Sequence, residues 1–406
     1  MKIIFLTMTF FSILLNAQSY LISNIPLPKT YIQNLDPYPC NEECLQGYID
    51  NDMVLSFLAH AKKQLKNPEL DEIRMISISI LNLGAQIDKK LKIALLLPYK
   101  KIGRYAASTT NASFAYLLTR NNNFNLKTYN IKTEDTDDIK DAIGKIKDDG
   151  FKYIIAPFTK KGANTLISLR PSQNIYFPTI NKKDVNLTLE NVYFGAIDYK
   201  AQSDLLLKEA VSPLVLFYDK SSTGQRLAEY QEEKYMSDNN STDSNTSIVK
   251  FLIPKRTTNL ESQLFENEEI IEGSFVVNTP IVKSSMIISQ LTMYDTNATN
   301  VLSTQINYDP LILSLTQYAD RQNMIIANSI TQNNSIFIET NALLGNDIMY
   351  DWINYTTTVG MDFFFSMITQ QDRQYKFDMV ENQIQYPIEL IQPSKTRFIK
   401  YFSVLE

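Results

Sequence analysis

Residues 92–198 constrain the fold more than any other part of this chain, because apolar runs alternate there with helical patterns. The runs end at proline or glycine and stand at residues 92–98 (KIALLLP), 153–157 (YIIAP), 174–178 (NIYFP) and 191–195 (NVYFG). Continuous apolar runs are typical of parallel strands that helices cover on both faces. The segment therefore predicts an α/β fold built on a parallel sheet.

Helical patterns and one further strand separate these runs. They are a helix at 106–118, a strand at 124–131, a helix between the cap cluster at 135–138 and the glycine at 150, and a helix at 162–169. Connections of this length are usual in α/β units. One complete lobe is therefore expected before residue 199.

The same alternation begins again after residue 198. Strands are predicted at 213–218, 248–253, 274–277, 300–303 and 324–327, and helices at 202–210, 222–235, 260–271 and 281–293. The polar residues 237–247 predict a loop. Two successive relays of this kind predict two similar lobes with a groove between them.

The first residues have the pattern of an export signal. Lys2 gives a positive start, residues 3–15 are apolar, and Ala17 supplies a small residue before a plausible cleavage point. A membrane anchor is the alternative, but the run is shorter than the ~20 residues that a spanning helix needs. No cysteine stands at the end of this run for lipid attachment. We predict a cleaved signal peptide over 1–17, a periplasmic location and no transmembrane segment.

Residues 18–90 predict an extended lead and a small helical appendage. Residues 18–39 are rich in proline, asparagine and tyrosine and show no period. Apolar residues then recur at three- and four-residue steps over 41–65, and a second helix is expected from Asp71. The alternation at 76–80 leaves a short strand there as an alternative.

The chain has two cysteines, Cys40 and Cys44. An even pair in an oxidising compartment predicts a disulfide. Residues four apart on a helix have Cα atoms ~6 Å apart, which is within disulfide reach. A metal site would need more ligands than this pair offers, and a redox-active pair more often has two intervening residues.

Composition argues against several classes of function. The net charge of −5 disfavours a nucleic-acid partner, which would call for a basic surface. The 11 glycines are dispersed, so no phosphate-binding loop is expected. His60 is the only histidine, and neither a G-x-S-x-G nor an H-E-x-x-H motif occurs. We predict a protein that is not an enzyme, with no cofactor and no metal site.

Several short motifs carry a family resemblance. The opening strand 92–98, the turn 155–162 (IAPFTKKG), the strand 301–305 (VLSTQ) and the helix 359–362 (VGMD) occur in order, and Thr279-Pro280 precedes a similar helix. In this the chain resembles the type I periplasmic-binding-protein superfamily. Within it, the chain is most similar to the LppC/LpoA group of penicillin-binding-protein activators.

The resemblance implies two lobes with a ligand groove at the carboxyl ends of the strands. The first lobe would hold 92–198 and 335–375, and the second 199–334 and 376–406. The tetratricopeptide domain of the activator group is not evident, since residues 41–90 are too short for several repeats. The first turn, 99–104 (YKKIGR), is bulky and basic, unlike the small donors of amino-acid binders.

Polar and aromatic residues that follow the strand ends are the candidate ligand-binding residues. They are Tyr99, Arg104, Phe158, Thr159, Asn181, Asp198, Tyr199, Asn278, Thr279, Gln305 and Tyr308. As ligand contacts, Thr159 would donate a hydroxyl, Arg104 would pair with charge and Tyr99 would stack. The alternative is that these residues cap helices and solvate turns.

Four Asn-x-Ser/Thr sites have an aspartate two residues before the asparagine. The asparagines are Asn186, Asn240, Asn245 and Asn297. The pattern resembles the extended acceptor site of bacterial N-glycosylation, and an asparagine-rich chain also produces such strings by composition.

The sequence thus predicts a non-enzymatic periplasmic regulator or scaffold that contacts an envelope protein, with the cell-wall synthesis machinery as the partner that the resemblance implies. The alternative is a solute-binding protein that delivers a small, amino-acid-like ligand to an ABC transporter or sensor.

Overall fold

The computed structural model describes residues 32, 38–63, 65–80, 91–120, 122–239, 247–256, 259–331 and 333–402. The predicted signal peptide and nearly all of the predicted lead lie outside the described residues. In the described part, two seven-stranded sheets each carry helices on their faces. The predicted α/β fold with two parallel-sheet lobes is confirmed.

The first sheet has the strand order β2-β1-β3-β4-β5-β12-β11. Its strands are β1 (Leu91–Pro98), β2 (Phe124–Ile131), β3 (Tyr153–Ile155), β4 (Asn174–Phe177), β5 (Val192–Phe194), β11 (Met379–Val380) and β12 (Gln383–Ile384). Strands β1 to β5 are parallel, and Leu95 lies opposite Thr128 and Ile155. All but one residue of β1 are buried, which explains its unbroken apolar run.

The second sheet has the order β14-β13-β10-β9-β8-β6-β7. Its strands are β6 (Leu214–Asp219), β7 (Ile248–Ile253), β8 (Ser274–Asn278), β9 (Asn300–Ser303), β10 (Met324–Asn328), β13 (Glu389–Pro393) and β14 (Phe398–Lys400). Strands β6 to β10 are parallel, and β13 and β14 add antiparallel at one edge.

Helices cover both faces of each sheet. On the first sheet they are α4 (Tyr99–Ile102), α5 (Tyr105–Leu118), α6 (Thr136–Asp148), α7 (Lys160–Ser168), α14 (Ser335–Leu343) and α15 (Trp352–Thr369). On the second they are α8 (Tyr199–Leu207), α9 (Ser222–Asn239), α10 (Glu261–Leu264), α11 (Ile281–Met293), α12 (Leu311–Leu315) and α13 (Tyr318–Arg321). Each sheet with its helices is called a lobe below.

The chain crosses between the lobes after β5, after β10 and after β12. Strands β11 and β12 pair with β5 in the first sheet, so the last change of sheet falls after Ile384. The predicted boundary at residue 376 is therefore too early. Two-residue strands leave a weak apolar pattern, and the sequence prediction missed them.

Two helices end at residues other than those that the sequence predicts. Helix α10 stops at Leu264 because Phe265 is extended and Glu266 takes a positive φ of 51°, so the predicted helix at 260–271 is wrong beyond that point. Helix α9 continues to Asn239, into the predicted loop at 237–247. Residues 240–246 lie outside the described part of the chain.

The appendage contains α1 (Glu42–Asp50), α2 (Val54–His60) and α3 (Pro68–Ile80). The single helical stretch expected over 41–65 is thus divided, and the strand alternative at 76–80 is wrong. These helices share a small core, of which Phe57 is fully buried. The predicted disulfide joins Cys40 to Cys44, with Cα atoms 5.4 Å apart, and Cys40 precedes the helix rather than lying on it.

Candidate functional site at the strand ends

Each sheet has a point where the connections diverge. The chain leaves β1 toward β2 on one side, and it leaves β3 toward β4 on the other. In the second sheet, β6 and β8 have the same relation. Ligands of open α/β sheets bind outside the carboxyl ends of the strands at such points. The loops that follow β1, β3, β6 and β8 therefore form the candidate site.

In the first lobe, the carboxylate of Glu134 accepts hydrogen bonds from donors that could otherwise bind a ligand. Thr159 precedes α7, and its backbone N–H donates to Glu134 Oε1 at 2.8 Å. The Thr159 hydroxyl donates to the other oxygen of the same carboxylate. Glu134 comes from the loop after β2 and is only 3% exposed. Both donors of Thr159 are thus used by an internal acceptor, and its hydroxyl also accepts from the backbone N–H of Gly162 at 3.4 Å and caps α7, as in the capping alternative.

Gly162 makes room for this carboxylate. A Cβ added at Gly162 would lie 2.4 Å from the Cδ of Glu134. The first turn of α7 therefore packs directly on the carboxylate, whose negative charge is favourable at a helix N-terminus. The close fit shows that Glu134 is built into the turn.

The second lobe holds a corresponding carboxylate at the end of β6. Asp219 accepts from the backbone N–H of Ser221 at 3.0 Å and from Lys283 Nζ of α11 at 3.2 Å. Burial acts to raise the pKa of Asp219, but the hydrogen bonds from Ser221 and Lys283 outweigh it, so the pKa is lower than its ordinary value. A Cβ added at Gly224 would lie 2.9 Å from Asp219 Oδ1. The carboxylate is therefore enclosed and charged.

Three predicted contacts of the second lobe are buried instead of facing the groove. Asn278 exchanges hydrogen bonds with Gln231, at 2.7 and 3.3 Å. The Thr279 hydroxyl lies 2.8 Å from that of Ser284. Gln305 accepts from the backbone N–H of Ser329 at 2.6 Å. Polar groups that are buried need such partners, and these are supplied within the lobe.

In the first lobe the prediction is also wrong for Phe158, which is 1% exposed and packs 6.2 Å from Phe177 in the core. Asn181 is buried and accepts from the backbone N–H of Lys183 at 3.1 Å. Asp198 caps α8 and pairs with Lys183 Nζ at 2.5 Å. These two polar residues therefore follow the capping alternative.

Bulky side chains join the lobes across the groove. Tyr199 of α8 meets Trp352 of α15 edge to face, with ring centroids 6.2 Å apart. Burial raises the pKa of Tyr199, and the nearby Tyr105 and Asp351 raise it further. The sequence prediction included Tyr199 but missed Trp352 and Asp351, which lie more than 150 residues further along the chain.

A second contact between the lobes is aromatic throughout. Tyr308 of the second lobe lies 5.0 Å from Tyr350 of the first and 4.9 Å from Phe398, measured between ring centroids. Of the predicted residues, Tyr99 and Arg104 remain exposed, and Arg104 lies over the ring of Tyr105. Both contacts between the lobes are therefore made by aromatic side chains.

No protein-family model matches the sequence, and no curated protein matches it. Solved structures do match. A putative branched-chain amino acid ABC transporter protein from Rhodospirillum rubrum superposes with a TM-score of 0.59 at 10% identity, over 77% of this chain and 100% of that chain. The chain has the type I periplasmic-binding-protein fold. The superfamily resemblance seen in the sequence is confirmed at the level of fold.

LpoA of Haemophilus influenzae is also similar, with a TM-score of 0.51 at 10% identity, over 89% of this chain and 73% of that chain. Its C-domain alone, described as a regulator of PBP1A, gives a TM-score of 0.50 at 10% identity, over 77% of this chain and 100% of that chain. The neighbours thus include both solute-binding proteins and regulators, and the fold is common to both groups.

The described residues contain neither a candidate membrane span nor a candidate metal site. None of the helices there is long and apolar enough to cross a membrane. No group of three or more histidine, cysteine, aspartate or glutamate side chains in that part of the chain is placed to hold a metal ion.

Proposed function

We propose that the protein is a non-enzymatic regulator or scaffold of the cell envelope, which acts through protein contacts and not by capturing a small ligand. The observation that carries the proposal is the Glu134 carboxylate, held by Thr159 at the ligand-binding end of the first sheet. A periplasmic location and a partner in cell-wall synthesis are parts of the proposal. The likeness to an LpoA domain that regulates PBP1A supports the partner class.

An amino-acid ligand would have to displace an internal competitor. Groups that are tethered to a site act at an effective concentration in the millimolar range or above. Displacement would also leave Glu134 buried and without its donors, which costs more than an ordinary hydrogen bond. Tight binding of a free carboxylate ligand at this turn is therefore disfavoured.

Helices α11, α12 and α13 of the second lobe offer a surface for protein contacts. Helix α11 contacts both α12 and α13. They carry exposed apolar side chains, which are Val282, Met293, Leu311, Leu315 and Tyr318. Exposed apolar groups of this kind are a feature of protein interaction sites.

Crosslinking in living cells, followed by purification and mass spectrometry, tests the proposed partner. We expect capture of a cell-wall synthase, and we expect the variant Leu315→Lys to lower that capture at least ~5-fold, the loss of about 1 kcal/mol of contact energy. Leu118→Lys is the matched control, since Leu118 and Leu315 are both 46% exposed and lie on different lobes. Specific capture of a transporter permease in place of a synthase would show the solute-binding alternative to be right.

A further inference from the structure

The described Asn-x-Ser/Thr sites fall into two groups that differ in the surroundings of the asparagine. Three of those without a preceding aspartate begin at Asn111, Asn333 and Asn354. Their amide groups donate to backbone carbonyls of Leu344, Ile348 and Asp347, at 3.0, 3.2 and 2.9 Å respectively. These asparagines are therefore used for packing inside the first lobe.

The two described sites that do have an aspartate two residues earlier are different. Asn186 and Asn297 are both exposed, and both lie outside helices and strands. Asp184 and Asp295 stand before them. The aspartate thus marks the sites whose asparagine an enzyme can reach.

The acceptor tripeptide that begins at Asn186 lies between two residues whose side chains are anchored in the core. Val185 and Leu189 pack against the core of the first lobe, so the segment is held on both sides. Between them Asn186, Leu187 and Thr188 are exposed. The segment follows a short 3₁₀ turn and precedes β5, so its backbone is not committed to a helix or a sheet.

Asn297 is a poorer acceptor. It lies in a tight turn with a φ of 48°, and Asp295 has a φ of 46°. The hydroxyl of Thr299, the third residue of that site, donates to the carbonyl of Glu272 at 2.5 Å. Modification there would require the turn to open.

We propose that Asn186 is a site of N-linked glycosylation. The donor is an oligosaccharide linked through pyrophosphate to a lipid. The C1–O bond to pyrophosphate breaks and its electron pair leaves with the lipid pyrophosphate, while Asn186 Nδ2 forms a bond to C1 and loses one proton to a base of the transferase. The Asp184 carboxylate, two residues earlier, gives the transferase a charged group to bind.

The glycan stands beside an ion pair that joins the two lobes. Asp184 Oδ1 lies 3.5 Å from Arg226 Nη1 of the second lobe and 4.0 Å from Lys160 Nζ of the first. An oligosaccharide on Asn186 therefore coats the surface beside a contact between the lobes. This role is separate from the proposed envelope function and does not depend on it.

The test is expression in cells that contain a bacterial oligosaccharyltransferase and its lipid-linked oligosaccharide, followed by mass spectrometry of the tryptic peptide 184–200. We expect that peptide to carry one intact oligosaccharide, and we expect it to be unmodified in cells with an inactivated transferase. Asn186→Gln should remove the modification, whereas Asn111→Gln should leave it in place. An unmodified peptide 184–200 in the presence of active transferase would overturn the proposal, as would a glycan that maps to Asn111.

Discussion

Replacing Asp362 with alanine is expected to lower the free energy of unfolding by about 3–5 kcal/mol, because a buried charge loses its partner. Asp362 lies in α15 and is 1% exposed. Its carboxylate accepts from the Tyr116 hydroxyl at 2.7 Å, from Arg120 Nη2 at 3.2 Å and from the backbone N–H of Tyr375 at 2.9 Å. One side chain thus joins α5, α15 and the segment that leads back toward the second lobe.

In the Asp362→Ala variant, Arg120 would lose the carboxylate with which it pairs. Its guanidinium lies over the rings of Tyr116, Phe365 and Phe337, at 4.5, 5.0 and 5.4 Å from their centroids. These contacts position the group but do not neutralise its charge. The double variant with Asp362→Leu and Arg120→Met should therefore be more stable than Asp362→Ala alone.

Urea unfolding followed by circular dichroism measures the effect of Asp362→Ala. Asp372→Ala is the control, since Asp372 is exposed and a surface substitution costs within about 0.5 kcal/mol. If Asp362→Ala unfolds at the same urea concentration as Asp372→Ala, the buried cluster does not have the role described.

Gly360→Ala is expected to destabilise the first lobe by about 1–3 kcal/mol through overpacking. A Cβ added at Gly360 would lie 2.1 Å from Cε1 of Tyr176. The ring cannot move aside freely, because Tyr176 is fully buried and its hydroxyl donates to the carbonyl of Thr356 at 3.0 Å. A Cβ at Gly195 would meet the same hydroxyl at 1.8 Å. Tyr176 is therefore fixed between two glycines.

Gly144→Ala is the matched control, and its expected sign is opposite. Gly144 lies in α6, and an added Cβ there would meet nothing within 4 Å. Alanine is favoured over glycine in a helix by about 1 kcal/mol, so this variant should be more stable than the natural protein. Thermal unfolding measures both variants, and a rise in melting temperature for Gly360→Ala would refute the packing described.

The sheets were predictable because a strand that is buried on both faces appears in the sequence as a continuous apolar run. The run at 92–98 is β1 with one more residue at its start, and the predicted strand at 124–131 coincides with β2. Strands β11 and β12 are two residues long and leave too little pattern. The end of helix α10 was predicted wrongly because a positive φ at Glu266 ends the helix, and a glutamate in the sequence gives no signal for that conformation.

The candidate site was predictable only in part. The order of strands places Thr159 at a strand end, and the sequence identified it. Its acceptor, Glu134, stands 25 residues earlier and reaches the turn through tertiary packing. Asn278 and Gln305 likewise stand at strand ends, but whether such a side chain turns toward the groove or into the lobe depends on partners that are distant in sequence.

We propose that the chain's own side chains occupy the positions where this fold could hold an amino acid. Thermal unfolding of the purified protein with each standard amino acid at about 1 mM tests it most directly, with a leucine-binding protein of the same fold as the positive control. A ligand with a Kd of about 10 μM would add ~2.7 kcal/mol to the folded state and raise the melting temperature. We predict an unchanged melting temperature with every amino acid, and a concentration-dependent rise with any of them would contradict the account.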